Sequence, residues 1–449
     1  MGRWKLVNID GDLFATALSF VLQAIIRLGS SLILTRILLP EAYGVITIIT
    51  SIAFVVELIA DTNTSLFIIR DARGEESRYL NTAWTIKFAR AMLNTVALYA
   101  LAPTVAALIY HLPALATPMR VYSVSFIIGG IQSMSFPLAI RHKQARIIMY
   151  SELAATFVSA LFSVVYCYFS RNYWGMVYGI LLNRISMVVL SRQFYREKRP
   201  RFQFDRAAAL DLLGFSKFTI PSSLLTLALS QFDKVVILRL FDLKSLGIYG
   251  LAGNIAGSVE TLISKISQLV LYPRCAHNFR TNRDMLSVAY YRENVKLFFS
   301  IMLFPAAVGG AAQLIIAFLY PSRYSQAGAV LQALMLRAGL LSFSAPAEDL
   351  LIATGEYKVI LHGNVYRAVG LISASLAGYY FFGFLGFVYG TALSGLPPLI
   401  YYWWLQRMKG LMIVRYEFYK LGFAITVAVS AFLTSHFLLA LWPLFSLRH

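Results

Sequence analysis

The stretch RILLPEAYG at residues 36–44 ends one apolar segment at an arginine, turns over a short segment that closes with glycine, and starts a second apolar segment. The same pattern returns as RLFDLKSLG at residues 239–247, and 239 minus 36 is 203. Glu57 and Glu260 follow the two turns at the same spacing, because 260 minus 57 is again 203. A shared spacing of this kind indicates that the chain contains two copies of one unit.

A second pair of segments supports the duplication near the end of each copy. GMVYG at residues 175–179 matches GFVYG at residues 386–390, and 386 minus 175 is 211. The change in spacing from 203 to 211 requires only a short net insertion in one loop. The matches keep the same order in both copies, which is expected of a tandem repeat.

The composition places both copies in a membrane. Hydrophobic residues make up 58% of the 449 residues and charged residues 14%, with a mean hydropathy of +0.66. Soluble domains are about 45–50% apolar and about 25% charged, so the sequence predicts an integral membrane protein. The formal net charge of +19 is better explained by basic cytoplasmic loops than by nucleic-acid binding, because the sequence contains no basic, aromatic-interleaved soluble domain.

Thirteen apolar segments are long enough to cross the hydrocarbon core, since one crossing takes about 20 residues. The predicted fold class is an all-α integral membrane protein with two parallel-repeat bundles of six transmembrane helices plus a thirteenth helix. The predicted spans lie at about 13–34, 42–69, 84–110, 116–140, 147–169, 174–195, 214–240, 245–273, 293–320, 327–352, 359–382, 385–406 and 418–442. The predicted domains are an N-terminal bundle at 1–195, a basic, irregular cytoplasmic linker at 196–213, a C-terminal bundle at 214–409 and a tail at 410–449. Whether the thirteenth segment crosses the membrane stays open.

Lysine and arginine accumulate in alternate loops, which determines the predicted orientation. The basic loops contain Arg73, Lys143, Arg199, Arg280 and Lys409. The positive-inside rule predicts that these loops and the N-terminus are cytoplasmic. Cys167 and Cys275 then lie near opposite faces of the membrane and are not expected to form a disulfide.

Motifs for common enzyme chemistry are missing from the sequence. We find no phosphate-cradling Walker loop and no Rossmann glycine fingerprint. The histidines are scattered without metal-ligand spacing. The sequence therefore predicts a protein that is not an enzyme and that uses no metal or cofactor, while coupling to protons or sodium stays open.

Ionisable residues inside the predicted spans are the candidate functional groups. Each costs about 2.5–3.5 kcal/mol at a helix centre and normally faces a bundle interior or a water-filled cavity. The candidate substrate-binding residues are Arg27, Arg184, Arg337 and Arg367. The candidate ion-coupling residues are Glu57, Asp61, Asp233 and Glu260. The alternative interpretation is structural ion pairing between helices, for example of Arg27 with Glu57 or Asp61.

The duplication separates these two sets. Glu57 and Glu260 occupy equivalent positions of the repeat, whereas Arg27 corresponds to Ser230, because 27 plus 203 is 230. Arginines without a counterpart, contributed by both halves, are predicted to line one shared cavity that binds a single anionic ligand.

In the order of its motifs, the chain resembles the lipid-linked oligosaccharide flippases. These flippases form the polysaccharide-transporter branch of the multidrug/oligosaccharidyl-lipid/polysaccharide exporter superfamily. The resemblance covers nearly the whole chain up to about Lys409. The residues that carry it are the turns at 36–44 and 239–247, Pro221 followed by Asp233 and Lys234, Pro305 with Gly309, Tyr324 with Ala327, and LIATGEYK at 351–358. The thirteenth segment departs from a plain twelve-helix pattern.

The resemblance implies a multi-pass protein of the bacterial inner membrane. It would move an undecaprenyl-diphosphate-linked oligosaccharide from the cytoplasmic to the periplasmic leaflet by alternating access, for the synthesis of a surface polysaccharide such as an O-antigen or an exopolysaccharide. The implied partners are the lipid-linked oligosaccharide, the bilayer, a polysaccharide polymerase and the chain-length machinery, with the protein itself a monomer. An arginine-lined path suits this substrate, because arginine binds phosphate bidentately.

Three other functions stay open at this point. A drug or cation antiporter of the same superfamily would have a lumen dominated by carboxylates. A polysaccharide polymerase or ligase would normally present a sizeable periplasmic loop, and a membrane scaffold would need no internal charges. The sequence does not indicate which sugar is carried, which polysaccharide pathway is served or which ion is coupled.

Overall fold

The computed structural model describes residues 9–59, 64–142, 144–194, 201–267, 271–281, 286–356 and 358–446. Within these residues the regular structure is helical and contains no strand, which confirms the predicted all-α membrane fold. The chain divides into two compact units, which we call the N-unit, Met1–Lys234, and the C-unit, Val235–His449.

In the described residues of the N-unit, nine α-helices begin. They are α1 Ile9–Ile37, α2 Pro40–Ile59, α3 Thr64–Arg70, α4 Ser77–Thr104, α5 Ala116–Ile131, α6 Ser135–Arg141, α7 Ala145–Ser170, α8 Trp174–Ser191 and α9 Arg206–Leu240. The predicted span at 116–140 is therefore broken between α5 and α6. The break is stabilised by Ser191, whose hydroxyl accepts a hydrogen bond from the Ser133 amide at 3.2 Å and whose carbonyl accepts one from the Ser133 hydroxyl at 2.9 Å.

The remaining helices belong to the C-unit. They are α10 Leu243–Ile266, α11 Tyr272–Thr281, α12 Leu286–Gly310, α13 Ala312–Leu319, α14 Ala327–Ala353, α15 Lys358–Leu393, α16 Leu396–Met408 and α17 Val414–Ser446. The predicted span at 293–320 is bent by 62° between α12 and α13. The spans predicted at 359–382 and 385–406 meet inside α15 at Gly383, whose φ of +62° is a conformation that glycine adopts without steric cost.

Most of the predicted spans satisfy a membrane-crossing test by length and composition. Within the described residues, eight helical stretches pass it, or nine if α12 and α13 form one bent span. One of these stretches, Lys358–Met408, contains two predicted spans. The spans predicted at 13–34, 214–240 and 245–273 correspond to α1, α9 and α10, which are not among these stretches.

The linker predicted at 196–213 was expected to be irregular, whereas helix α9 begins at Arg206 and makes its second part helical. The side chain of Asp205 accepts a hydrogen bond from the Ala208 amide at 2.8 Å, which satisfies one of the free amides at the start of the helix. Leu212 is fully buried in an apolar cluster of the N-unit that includes Phe67 and Leu138. An N-cap and an apolar face therefore make this segment helical despite its charge, whereas residues 195–200 lie outside the described part of the chain.

The thirteenth predicted helix is an integral part of the C-unit. Helix α17 packs along α12, and the hydroxyl of Ser435 donates a hydrogen bond to the carbonyl of Gly310 at 2.7 Å. A Cβ atom at Gly310 would overlap Ala431 and the backbone of Phe432, so glycine permits the two helix backbones to approach closely.

We expect Gly310→Val to separate α17 from α12. Overpacking a well-packed contact costs about 1–3 kcal/mol, so the thermal unfolding temperature of the purified protein should fall. Gly422→Val is the matched control, because a Cβ at Gly422 meets nothing within 4 Å. Equal unfolding temperatures for the two variants would contradict a close α12–α17 contact.

Candidate functional site

Each unit contains a carboxylate–arginine pair inside its predicted spans. In the N-unit, the guanidinium of Arg184 on α8 donates a hydrogen bond of 3.5 Å to the carboxylate of Glu57 on α2. Both side chains are about two-fifths exposed, at 42% and 39%. In the C-unit, Glu260 on α10 accepts a shorter hydrogen bond of 2.7 Å from Nε of Arg337 on α14, and these side chains are 22% and 20% exposed. We call these contacts the N-unit pair and the C-unit pair.

The residues of the two pairs occupy matching positions along their helices. Arg184 and Arg337 are each ten residues from the start of their helices α8 and α14, which is about 15 Å along the axis. Glu57 and Glu260 are each 17 residues from the start of α2 and α10. The two units therefore hold an ion pair at the same level of equivalent second helices.

The arginines of the two pairs nevertheless come from different helices of the repeat. Arg184 lies on the sixth predicted span of its half, and its equivalent in the second half is Gly395, because 184 plus 211 is 395. Arg337 lies on the fourth predicted span of the second half. The duplicated carboxylate therefore meets an arginine from a non-equivalent helix in each unit.

Two further cations of the N-unit lie near its pair and were not predicted. Lys87 on α4 is close enough to Arg184 and Glu57 to interact with both electrostatically, and Arg90 on the same helix is within electrostatic range of Lys87. The ammonium of Lys87 donates to the backbone carbonyl of Gln132 at 3.3 Å. The signal that identifies them is their i, i+3 spacing inside the predicted span 84–110, where any cation is costly.

The other predicted site residues have varied surroundings. Arg27 is exposed on α1, and Glu57, one of the two partners suggested for it, is paired with Arg184 instead. Asp61 lies outside the described residues. Asp233 is buried on α9 and accepts a hydrogen bond from the Lys234 amide at 2.8 Å.

Arg367 belongs to a second polar group of the C-unit. It lies on α15 in electrostatic range of Glu348 on α14, which is itself beside Tyr402 on α16. The adjacent carboxylate, Asp349, accepts a hydrogen bond of 2.5 Å from the hydroxyl of Ser267. The structure thus places Arg337 and Arg367 beside different carboxylates of one unit, and their joint action on one ligand stays a prediction.

A buried ion pair on the thirteenth helix was also missed by sequence reasoning. Glu417 accepts from the ammonium of Lys420 at 2.8 Å and from the hydroxyl of Tyr291 at 3.0 Å, with Lys420 1% and Glu417 5% exposed. The Lys420 ammonium also lies 5.1 Å from the ring centroid of Phe298 and 5.3 Å from that of Phe343. The spacing of Glu417 and Lys420 puts both on one face of α17, which is the only sequence signal for the contact.

The chemistry of these groups is electrostatic. Among the described side chains, no three His, Cys, Asp or Glu residues gather into a group that could hold a metal ion. The two pairs instead offer guanidinium groups whose anionic partner is a carboxylate of the same unit. An incoming anion with the bidentate geometry of a carboxylate could take the place of either one.

Comparisons with known proteins identify the family of the chain and its fold. A profile of the family described as "Polysaccharide biosynthesis protein" matches residues 33–329, which is more than half of the chain. The amylovoran biosynthesis protein AmsL of Erwinia amylovora is 22% identical over 299 residues, covering 64% of this chain and 74% of that protein. An uncharacterized membrane protein in the cps region of Klebsiella pneumoniae is 24% identical over 422 residues, covering 89% and 83%.

Solved structures share the fold at low sequence identity. A multidrug resistance MATE family transporter of the MOP superfamily, in an inward-facing conformation, superimposes with a TM-score of 0.72 at 15% identity, covering 86% of this chain and 94% of that one. The lipid II flippase MurJ, in an inward closed conformation, gives a TM-score of 0.71 at 12% identity, covering 96% and 99%. The chain is therefore a multi-pass membrane protein that belongs to the polysaccharide biosynthesis protein family, and it shares its fold with these two solved structures.

Proposed function

We propose that the protein is a flippase that carries a polyprenyl-diphosphate-linked oligosaccharide across the bacterial inner membrane, from the cytoplasmic to the periplasmic leaflet. The N-terminus of the protein would lie on the cytoplasmic side. The family and the transporter fold support membrane export in polysaccharide synthesis. The observation that carries the finer proposal is that each unit has a guanidinium group, Arg184 or Arg337, ten residues from the start of its helix.

A diphosphate needs such groups because it is too strongly hydrated to enter hydrocarbon alone. Arginine keeps its charge at any physiological pH and presents a planar fork that matches two phosphate oxygens. Arg27 and Arg367 are proposed as further positions along the same path, and Lys87 adds positive charge near Arg184. Several cations of moderate attraction allow the anion both to bind and to leave.

The carboxylates give this proposal a mechanism. In the absence of substrate, Glu57 and Glu260 neutralise Arg184 and Arg337, so that neither guanidinium is left uncompensated in the membrane. The diphosphate displaces the carboxylate from the arginine, and the released carboxylate takes up a proton or a cation. Exchange of partners would thus couple transport to an ion gradient, with Asp61 and Asp233 as further candidates for the ion.

This exchange favours the flippase over a cation antiporter. A cationic drug would require a carboxylate that is available to it, whereas Glu57 and Glu260 are engaged by arginines of their own units. The proposal contains no bond-making step, and it therefore assigns the protein neither a polymerase nor a ligase activity.

Reconstitution tests the function directly. The protein is placed in liposomes that hold a polyprenyl-diphosphate oligosaccharide with a fluorophore on the sugar, and dithionite bleaching measures how much label reaches the outer leaflet. We expect time-dependent bleaching beyond that of empty liposomes. Export of an organic cation without any movement of this lipid would overturn the proposal.

We expect Glu57→Gln and Glu260→Gln to tighten binding of the diphosphate lipid and to make its translocation independent of a proton or sodium gradient. The amide still fills the space, but it no longer competes as an anion for the arginine. Glu41→Gln, an exposed change in the first turn of the same helix α2, is the control. Unchanged affinity and unchanged gradient dependence in both variants would reduce the carboxylates to structural partners.

A further inference from the structure

Residues 201–212 of the N-unit form a rigid segment that we call the strap. Its backbone amides donate to side chains at the start of α4: Arg201 to Asn81 at 3.0 Å, Gln203 to Thr85 at 3.3 Å and Asp205 to Thr82 at 3.1 Å. The side-chain oxygen of Gln203 also accepts a hydrogen bond from the side-chain amide of Asn81 at 2.8 Å. Alternate residues of the strap are thus hydrogen-bonded to α4, which fixes the backbone of the strap.

The helical end of the strap is attached as well. Asp211 accepts hydrogen bonds of 2.8 Å from the hydroxyl of Tyr79 and from the guanidinium of Arg73. The hydrogen bond from Tyr79 and the charge of Arg73 lower the pKa of Asp211 below its ordinary value of 3.8. The attachment is therefore present at neutral pH and is lost only as the pH falls below that value.

The strap exposes both apolar and basic side chains. Phe204 and Leu210 are 64% and 63% exposed, and Phe202 is 67% exposed although one side of its ring packs 4.6 Å from that of Trp84. Arg201 and Arg206 are exposed on the same segment. Large apolar side chains held outward by a fixed backbone indicate a surface that meets another apolar phase.

We infer that the strap is a lipid-binding element that inserts Phe204 and Leu210 at the boundary of the bilayer and binds anionic phospholipid headgroups through Arg201 and Arg206. Apolar insertion combined with nearby arginines is the recognition chemistry of interfacial amphipathic segments on anionic membranes. A protein already in the bilayer keeps such a segment at the membrane surface without further cost of association. The inference stands apart from the flippase proposal, since it concerns the lipid around the protein rather than the lipid it carries.

The insertion of residues 204 and 210 into the bilayer is tested by measuring the immersion depth of spin labels at these positions. Single nitroxide labels are placed by Phe204→Cys and Leu210→Cys, because the native Cys167 and Cys275 are buried. In bilayers, both labels should collide more with oxygen than with a water-soluble nickel chelate. Glu76→Cys, at an exposed carboxylate, is the water-facing control. Labels at 204 and 210 that behave like the control would overturn the inference, as would labels shielded from both reagents, which indicate a protein partner or a second copy.

Varying the lipid composition tests whether Arg201 and Arg206 bind anionic headgroups. We expect the label at 210 to move deeper when phosphatidylglycerol replaces part of the phosphatidylcholine, and this change should vanish in the variant with both Arg201→Gln and Arg206→Gln. The matched control carries Arg407→Gln and Arg415→Gln, two exposed arginines of the C-unit, and should retain the response. A response that is absent from the parent protein, or lost equally in the control, would contradict recognition of anionic lipid by the strap.

Discussion

Replacing Arg184 or Arg337 by alanine is expected to lower translocation of the diphosphate-linked oligosaccharide by about ten- to a hundredfold. A hydrogen bond between charged groups contributes about 1.5–3 kcal/mol, and each 1.4 kcal/mol corresponds to a factor of ten. Lysine should restore only part of the rate, because it keeps the charge but loses the bidentate fork. The dithionite assay in liposomes measures all of these variants.

Two further variants separate substrate binding from structural pairing. Arg192→Ala removes an exposed arginine at the end of α8, the helix that contains Arg184. The translocation rate of this variant should stay close to that of the parent protein. The double variant with Glu57→Gln and Arg184→Ala removes both members of the N-unit pair, so no unpaired charge remains. If Arg184 only neutralises Glu57, this double variant should recover transport, and recovery would contradict the proposed role in substrate binding.

The Lys420→Met variant is expected to lose about 3–5 kcal/mol of stability in the C-unit. Methionine fills a similar volume among Phe298 and Phe343, but the buried Glu417 carboxylate then lacks its cation. Charge in a low-dielectric interior is costly unless it is paired, and the Tyr291 hydroxyl alone compensates only part of that cost. Thermal unfolding in detergent, followed by tryptophan fluorescence, measures the loss.

The chain itself offers a matched control for this change. Lys409 and Glu356 form a pair at 2.6 Å with side chains 35% and 40% exposed, and exposed pairs contribute about 0.2–1 kcal/mol. Lys409→Met should therefore have little effect on unfolding. Adding Glu417→Leu to Lys420→Met should recover much of the lost stability, since the unpaired charge is removed with its partner. Equal destabilisation by Lys409→Met and Lys420→Met would contradict a special role for burial.

The sequence by itself determined the membrane class, the duplication and the positions of the candidate charges. Apolar runs of about 20 residues have few alternatives to transmembrane helices, because backbone groups in lipid must be hydrogen-bonded within the segment. The repeated turns at 36–44 and 239–247 place Glu57 and Glu260 on equivalent helices. These properties are local or periodic along the chain, and so they can be derived without knowing which helices touch.

Only the tertiary structure decided which charges meet. Glu57 could have paired with Arg27 on the preceding helix, yet its partner is Arg184, 127 residues away, because α8 rather than α1 brings a guanidinium to its level. The same holds for Glu260 and Arg337 and for the strap, whose basic sequence suggested an irregular linker before its hydrogen bonds to α4 were seen. Contacts between distant segments depend on how helices pack side by side, and several packings satisfy one pattern of apolar and charged residues. The partner of each buried or half-buried charge is therefore decided by which helices are neighbours, and the sequence pattern alone does not predict it.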